Sequence, residues 1–216
     1  MGWVPSEHQL RWRIKPLVFL AGLLPLFWYS GSFVMNQLGA NPIEAVTRGS
    51  GDWALRFILI TLTITPLRRL TGSPVWLKLR RMLGLFAFFY AFIHFLTYVW
   101  LDQFFYWEDI WEDIVERPFI TVGFMAFILL IPLAATSTKA MMRRLKRRWG
   151  KLHRLIYLIA IAALLHFWWM KSSKSDVIEP VVYGVILAFL LGFRVSGWIK
   201  KRRPWMDRSA RKQISS

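Results

Sequence analysis

The chain has 216 residues, of which 56% are hydrophobic, and its formal net charge at pH 7 is +17. A soluble domain of this length has no interior large enough to bury 13 Trp and 17 Phe together with so many aliphatic side chains. The absence of cysteine excludes disulfides, thiolate metal sites, iron–sulfur clusters and thiol catalysis within the chain.

Six apolar stretches come close to the length of about 20 residues that a transmembrane helix needs. We expect spans near Pro16–Met35, Trp53–Leu70, Met82–Leu101, Pro118–Thr136, Leu152–Met170 and Val177–Trp198. No cleavable signal sequence is evident at the N-terminus, so we expect the first span to stay in the protein as an anchor. The predicted fold is an all-α integral membrane protein. Its bundle of six transmembrane helices occupies residues 16–198, between tails at 1–15 and 199–216.

Three prolines, Pro25, Pro66 and Pro132, lie inside these stretches or near their ends. Proline removes a helical hydrogen bond and thereby frees a carbonyl. In a bilayer such a carbonyl needs a partner from a neighbouring helix, so we expect kinks with interhelical bonds at these positions.

The charges between the stretches alternate in sign along the chain. The N-terminal tail, the second and fourth connections and the C-terminal tail are rich in Lys and Arg, whereas the third connection holds six acidic residues against Arg117 alone. The positive-inside rule then places both termini in the cytoplasm. A basic tail can also bind nucleic acid or anionic lipid. The alternation favours topology, so we expect contact with membrane lipid and no nucleic-acid partner.

Two histidines, His94 and His166, lie deep within the third and fifth stretches. They are about twelve and fourteen residues along spans of the same direction, so at ~1.5 Å per residue the rings have nearly the same depth. An ionisable side chain in the bilayer is usually functional, although a neutral imidazole can also make an interhelical hydrogen bond. The spans offer no carboxylate or thiolate for a zinc or dinuclear site. Two imidazoles at one level suit six-coordinate haem iron, and we predict a b-type haem between them.

His153 lies at the inner end of the fifth stretch, thirteen residues before His166. On an ideal helix the two rings would be about 20 Å apart along the axis and about 140° apart around it. The matching level of the third stretch holds Arg80 and Arg81 and no histidine. His153 therefore has three interpretations: the ligand of an inner haem with a non-histidine or open sixth position, a contact for quinone or flavin, or a plain interfacial residue.

Several segments together carry a family resemblance. They are AGLLPLFW, ITPLRRL, RRMLGLFAFFYAFIHFLTY, RPFITVGF, TSTKAMMRRLKRRWGKLHRLIYL and HFWW. The chain resembles, over nearly its whole length, the ferric reductase-like transmembrane superfamily, and within it the MsrQ (YedZ) family of haem-binding membrane subunits. His94, His153 and His166 fall on the three histidines of that family.

The resemblance implies electron delivery by a non-catalytic subunit in the bacterial inner membrane. Members of the family take electrons from the quinone pool or from a cytoplasmic flavin reductase. They pass them to a periplasmic molybdopterin-containing subunit that reduces methionine sulfoxide in proteins. The resemblance also implies haem b, in one or two copies, and FMN. The broader superfamily usually carries two histidines on each of two helices. Fourteen residues before His94 this chain has Arg80, which leaves a second bis-histidine haem without a ligand.

Arginines supply candidate partners for anionic groups. Arg56 and Arg117 lie at the outer level of the predicted haem, where they would bind its propionates or else snorkel to lipid headgroups. On the inner side, Arg80, Arg81 and Arg148 would hold a flavin phosphate or a quinone headgroup, or would simply carry the topology charge.

Other functions stay open at this point. A proton-relaying transporter predicts carboxylates inside the spans, and none lies between the span ends. A purely structural anchor leaves the matched depth of the two histidines unexplained, and a ferric reductase-like cytochrome b could serve another periplasmic acceptor. We expect the acidic, Trp-rich connection from Asp102 to Glu116 either to dock a basic patch of a periplasmic partner or to be an ordinary solvated loop.

Overall fold

The computed structural model describes the backbone of residues 5–172 and 177–214, and side chains as far as residue 199. The regular structure within these ranges is entirely helical, which confirms the predicted all-α class. The helices are α1 Glu7–Val34, α2 Pro42–Thr71, α3 Pro74–Asp102, α4 Trp107–Glu116, α5 Pro118–Ala135, α6 Lys139–Leu145, α7 Arg147–Leu152, α8 Leu155–Ser172 and α9 Ile178–Ile214. Residues 1–4 of the predicted N-terminal tail lie outside the described ranges.

Five segments of the described chain are long and apolar enough to cross a membrane. They are α1, α3, α5, the run from α7 to the end of α8, and α9 over Ile178–Ile199. They correspond to the predicted first, third, fourth, fifth and sixth spans. The predicted second span lies in α2, which is not among the five. The count of six transmembrane helices therefore stays a prediction that depends on α2.

Helix α2 combines polar residues near its start with an extensively buried face. It begins at Pro42, about three turns before the predicted span, so that Glu44, Arg48 and Asp52 belong to the helix. Eleven of its residues are buried, and its contact with α3 is the most extensive between any two described helices. A helix enclosed by its neighbours can carry polar groups on faces that lipid does not reach.

The predicted kink at Pro25 has an interhelical partner. The Tyr90 hydroxyl of α3 donates to the Gly22 carbonyl at 2.7 Å and accepts from the Leu26 amide at 3.2 Å. In an uninterrupted helix the Leu26 amide would donate directly to the Gly22 carbonyl. Here the Tyr90 hydroxyl bridges these two groups. Tyr90 is 2% exposed and stacks on Phe57 of α2, with ring centres 5.5 Å apart. Helices α1, α2 and α3 are joined at this level.

The predicted kink at Pro66 is satisfied in a different way. Pro66 has no amide hydrogen to offer the Leu62 carbonyl, four residues earlier. Arg194 of α9 donates to that carbonyl from Nη2 at 2.8 Å. Its Nη1 donates to the hydroxyl of Tyr157 on α8, and its guanidinium lies 4.9 Å from the centre of the same ring. This arginine therefore joins α2, α8 and α9.

Two helix pairs enclose the interior. Helix α2 packs along α3, α5 packs along α8, and α3 also contacts α5. Their shared apolar core includes Leu55, Leu83, Leu130 and Ile159. The arrangement brings α3 and α8, which carry the two deep histidines, to opposite sides of one space.

Candidate functional site

His94 of α3 and His166 of α8 lie opposite each other in the interior. Their ring centres are 6.0 Å apart, and their planes are inclined at 69°. The structure thus brings together the two histidines that the sequence places at one depth. Both rings border a cavity of about 480 Å³, a size typical of ligand pockets.

Each of these imidazoles donates an N–H to a backbone carbonyl. His94 Nδ1 bonds to the Thr47 carbonyl of α2, and His166 Nδ1 bonds to the Phe119 carbonyl of α5, both at 2.7 Å. Because a carbonyl only accepts, Nδ1 carries the proton in each neutral ring, and Nε2 keeps a lone pair. A carbonyl on the far nitrogen is a usual second partner of a metal-bound histidine, since it fixes the tautomer and the ring orientation.

The wall of the cavity is mostly apolar. Leu55 and Ile58 of α2, Phe95 of α3 and Phe127 and Leu130 of α5 contribute to it. The rings of Phe95 and Phe127 stack with their centres 4.8 Å apart. Walls of this kind suit a flat hydrophobic macrocycle, and they limit the access of water to a metal.

Charged residues lie at the mouth of the cavity, where α2 begins and α3 ends. Arg48 of α2 pairs with Glu44 at 2.5 Å, and Arg117 pairs with Asp113 through Nε at 3.1 Å. These four residues and Asp52 line the cavity. A guanidinium has five N–H donors, so each arginine keeps donors beyond its ion pair.

One carboxylate at the mouth of the cavity is buried. Asp113 of α4 is 9% exposed, and it accepts from the Tyr98 hydroxyl at 2.9 Å and the Gln103 amide at 3.0 Å, as well as from Arg117. It thereby ties the end of α3 to α4 and to the start of α5. The acidic connection between α3 and α5 is thus partly helical, and its residues Ile110 and Asp113 line the cavity.

Arg56, predicted to bind a haem propionate, points away from the cavity. Its Nε donates to the Tyr183 hydroxyl at 2.8 Å, and its guanidinium lies 5.0 Å from the centre of the Trp53 ring. Arg48, two turns earlier on α2, lines the mouth of the cavity, whereas Arg56 does not.

His153 lies outside the cavity, between α7 and α8. Its Nε2 is 3.1 Å from the Thr136 hydroxyl, and its ring stacks on Trp149 with centres 4.0 Å apart. Thr136 donates its own proton to the Pro132 carbonyl at 2.6 Å, so it accepts from His153, and Nε2 is the protonated nitrogen. The helix is interrupted at this residue, so the 140° rotation expected of an ideal helix does not apply.

The inner-side arginines differ in their surroundings. Arg80 is partly buried and lies within electrostatic range of His153, whereas Arg81 and Arg148 are exposed. Their role in binding flavin or quinone stays a prediction.

Comparison with known proteins decides the family. Residues 50–164 match the model of the ferric reductase like transmembrane component. The chain is 54% identical over 193 residues to the "protein-methionine-sulfoxide reductase heme-binding subunit MsrQ" of Bordetella pertussis, which covers 88% of this chain and 92% of that protein. Proteins of the same name from Herminiimonas arsenicoxydans (94% of each chain) and Xanthomonas campestris pv. campestris (91% and 92%) are both 52% identical.

The chain belongs to the MsrQ family. This confirms the resemblance inferred from its sequence segments. No solved structure matches the chain.

Sequence reasoning missed several residues that surround the histidines in this member of the MsrQ family. They are Thr47, Arg48, Gly51, Phe119 and Gly123. A signal for four of them exists, because a glycine and a carbonyl partner precede each histidine by 43 and 47 residues respectively. Residue type does not reveal this signal, because the carbonyl belongs to Thr47 in one case and to Phe119 in the other.

The residues of this MsrQ-family site fit a haem. Two metal–imidazole bonds of about 2 Å on opposite sides of a metal place the ring centres about 6 Å apart, and those of His94 and His166 are 6.0 Å apart. Gly51 and Gly123 leave space for the rings, because a Cβ at either position would lie within 3.0 Å of a ring atom. Arg48 and Arg117 line the mouth of the cavity, where guanidinium groups suit the propionate carboxylates of a haem.

Proposed function

We propose that the chain is the membrane electron-transfer subunit of a protein-methionine-sulfoxide reductase system, with a b-type haem between His94 and His166. The observation that carries the proposal is the pair of imidazoles 6.0 Å apart, each with Nδ1 bonded to a carbonyl. A bound haem would take up and release one electron. The chain supplies its ligands, its apolar surroundings and the nearby charges that set its potential.

The haem propionates would be held at the mouth of the cavity. Arg117 and Arg48 support this placement, since both line the mouth and keep N–H donors beyond their ion pairs. The same role for Arg56 stays a prediction, because that side chain is bonded to Tyr183.

The proposed route of electrons runs from the cytoplasm to the periplasm. The donor is the quinone pool or a cytoplasmic flavin reductase, and the acceptor is a soluble periplasmic subunit with a molybdopterin cofactor. The names of the relatives support a methionine-sulfoxide reductase as the acceptor. The alternating charges support a bacterial inner-membrane protein with six spans, α2 included, and with both termini in the cytoplasm.

At the inner end, His153 is the proposed contact for a second redox ligand. That ligand would be a quinone, FMN or a second haem. An imidazole, the aromatic face of Trp149 and the cation of Arg80 lie in one neighbourhood there, and the exposed Arg81 and Arg148 extend its positive charge.

Haem content tests the proposal. Protein purified from haem-replete cells should show a low-spin b-type spectrum on reduction with dithionite. His94→Ala and His166→Ala should each remove this haem, whereas His8→Ala, at an exposed position of α1, should retain it. A colourless wild-type preparation would overturn the central claim, and loss in His153→Ala alone would reassign the ligands.

Stoichiometry tests the inner ligand. A pyridine haemochrome assay that gives two haems per chain, one of them lost in His153→Ala, would assign a second haem. One haem per chain, together with flavin or quinone that His153→Ala releases, would assign one of those ligands. If His153→Ala changes neither, the residue is an interfacial one.

The identity of the acceptor needs its own experiment. The reduced haem should be oxidised rapidly when the protein is mixed with the periplasmic reductase subunit and methionine sulfoxide. Oxidation at the same rate by an unrelated periplasmic acceptor would favour a more general cytochrome b.

A proton-relaying transporter is a second candidate, because Asp52 lines the same cavity as both histidines. Sequence reasoning placed this carboxylate just outside the second span, and the longer α2 contains it. A transporter would move protons across liposomes without an electron donor, and Asp52→Asn would abolish that flux. Electron transfer predicts no such flux, with haem retained in Asp52→Asn.

A further inference from the structure

His94 and His166 have equivalent surroundings, because each is bonded to a carbonyl and lies against a glycine. Thr47, Gly51 and His94 form one set, on α2 and α3. A second set, on α5 and α8, contains Phe119, Gly123 and His166, and each of its members follows its counterpart by 72 residues. The Nδ1–carbonyl distance is 2.7 Å in both sets. Two helix pairs of different sequence therefore hold an imidazole in the same way.

The glycine of each set lies against the imidazole ring. A Cβ on Gly51 would lie 3.0 Å from Cε1 and Nδ1 of His94, and a Cβ on Gly123 would lie 2.7 Å from Nδ1 of His166. Ordinary contacts between such atoms are about 3.5–4.0 Å. A Cβ at Gly123 would therefore overlap the His166 ring, and a Cβ at Gly51 would require the His94 ring to move by a few tenths of an ångström.

The carbonyl and the glycine act on the ring from one helix face. They are four residues apart in each set, and residues at that spacing are neighbours on a helix surface. The carbonyl fixes one nitrogen by a short hydrogen bond, and the bare glycine backbone one turn further along lets the ring come close enough to form that bond. Alanine at this position would push the ring away and lengthen the bond.

We propose that Gly51 and Gly123 are positioning residues that set the ring orientation of His94 and His166, and through it the electronic state of the bound haem. The proposal rests on the haem function proposed above. A short bond from Nδ1–H to a carbonyl makes an imidazole a stronger electron donor to its metal. A weaker bond favours the reduced iron, so the midpoint potential should rise in Gly51→Ala and in Gly123→Ala.

Two other glycines provide matched controls. Gly192 has nothing within 4 Å of its ideal Cβ, so Gly192→Ala tests the effect of helix propensity alone. A Cβ on Gly22 would lie 2.6 Å from the Phe86 ring, so Gly22→Ala introduces a clash that does not involve either histidine.

The first experiment compares these four variants with haem bound. We expect Gly51→Ala and Gly123→Ala to lower haem affinity on the order of tenfold, as for other partners of metal ligands. We also expect them to shift the g values of the ferric haem and raise its potential. Gly192→Ala should change none of these, and Gly22→Ala should lower stability without a spectral shift. Unchanged g values and potential in both Gly51→Ala and Gly123→Ala would overturn the proposal.

The second experiment needs no haem and covers the case in which a variant is unstable. In a double-mutant cycle on haem-free protein, Gly51→Ala should lower the unfolding temperature in the presence of His94 and have little effect in the His94→Ala background. The same cycle applies to Gly123 and His166. Equal effects in both backgrounds would show that the glycine does not act through the ring. If the wild-type chain binds no haem, the proposed function is wrong. The cycle would still measure the contact between each glycine and its histidine ring.

Discussion

At the scale of single residues, the position of one proton distinguishes His153 from His94 and His166. In His94 and His166 the proton is on Nδ1, bound to a carbonyl, and Nε2 keeps the lone pair. In His153 the proton is on Nε2, bound to Thr136. A metal could bind His153 through Nδ1, or through Nε2 once the Thr136 bond is broken. His94 and His166 can bind a metal through Nε2 without breaking a hydrogen bond.

Asp113→Asn should weaken the contacts that join the end of α3 to α4 and to the start of α5. The substitution keeps the size of the side chain but places an N–H donor where Tyr98, Gln103 and Arg117 already supply donors. We expect a loss of about 1.5–3 kcal/mol in the free energy of unfolding, the range for hydrogen bonds to charged groups, together with faster release of haem. Asp109→Asn, at an exposed position of the same helix, is the control. Equal stability of the two variants in mixed micelles would contradict the assigned role of Asp113.

At the scale of helices, backbone groups beside Pro25 and Pro66 are hydrogen-bonded by side chains from other helices. Tyr90→Phe removes the hydroxyl that bridges Gly22 and Leu26 beside Pro25. The expected cost is about 1 kcal/mol of unfolding free energy, typical of one hydrogen bond, and thermal unfolding of the membrane-extracted protein measures it. Tyr106→Phe, whose ring is 65% exposed, should have no measurable effect, and a similar loss there would argue against the bridge.

The bond from Arg194 to the Leu62 carbonyl can be tested with a second substitution that supplies another donor to that carbonyl. Arg194→Met should cost about 2 kcal/mol, because the buried Leu62 carbonyl loses its donor. Pro66→Ala restores an amide hydrogen to the same carbonyl. In the Arg194→Met background it should therefore recover part of the lost unfolding free energy. If Pro66→Ala has the same effect with and without Arg194, the two residues do not share this carbonyl.

The sequence was sufficient to predict five of the spans, since uninterrupted apolar runs reflect contact with lipid. It was also sufficient to pair His94 with His166, because depth follows from position along a helix. It did not predict that α2 extends back to Pro42, because Glu44, Arg48 and Asp52 end the apolar pattern although they line a cavity. Hydropathy cannot distinguish a polar face that meets a cavity from a polar loop.

Residue type alone did not predict the backbone contacts. The Thr47 and Phe119 carbonyls that bind the two imidazoles have no signature in residue type. The direction of Arg56 depends on Tyr183, which comes from the distant helix α9. Such a contact follows from how the helices pack and not from their local sequence.

At the scale of the whole molecule, membrane topology depends on whether α2 crosses the bilayer. The chain has no cysteine, so a single introduced thiol reports on its own position. Ala40→Cys lies between α1 and α2, and Arg68→Cys lies near the end of α2, and both positions are exposed. If α2 is a sixth span, a membrane-impermeant maleimide added to the periplasmic side should label position 40 and should reach position 68 only after permeabilisation. Labelling of both from one side would mean that α2 does not cross.

The polarity of α2 has a consequence for how the protein is made. A charged residue near the middle of an inserting helix costs about 2.5–3.5 kcal/mol, and α2 carries Asp52 and Arg56 there. Such a segment would leave the translocon most favourably as a hairpin with α3, its most extensive partner. Thr47 and His94 would then meet on the nascent chain while the ribosome is still synthesising α5 and α8. Half of the proposed haem site would thus form before His166 has been translated.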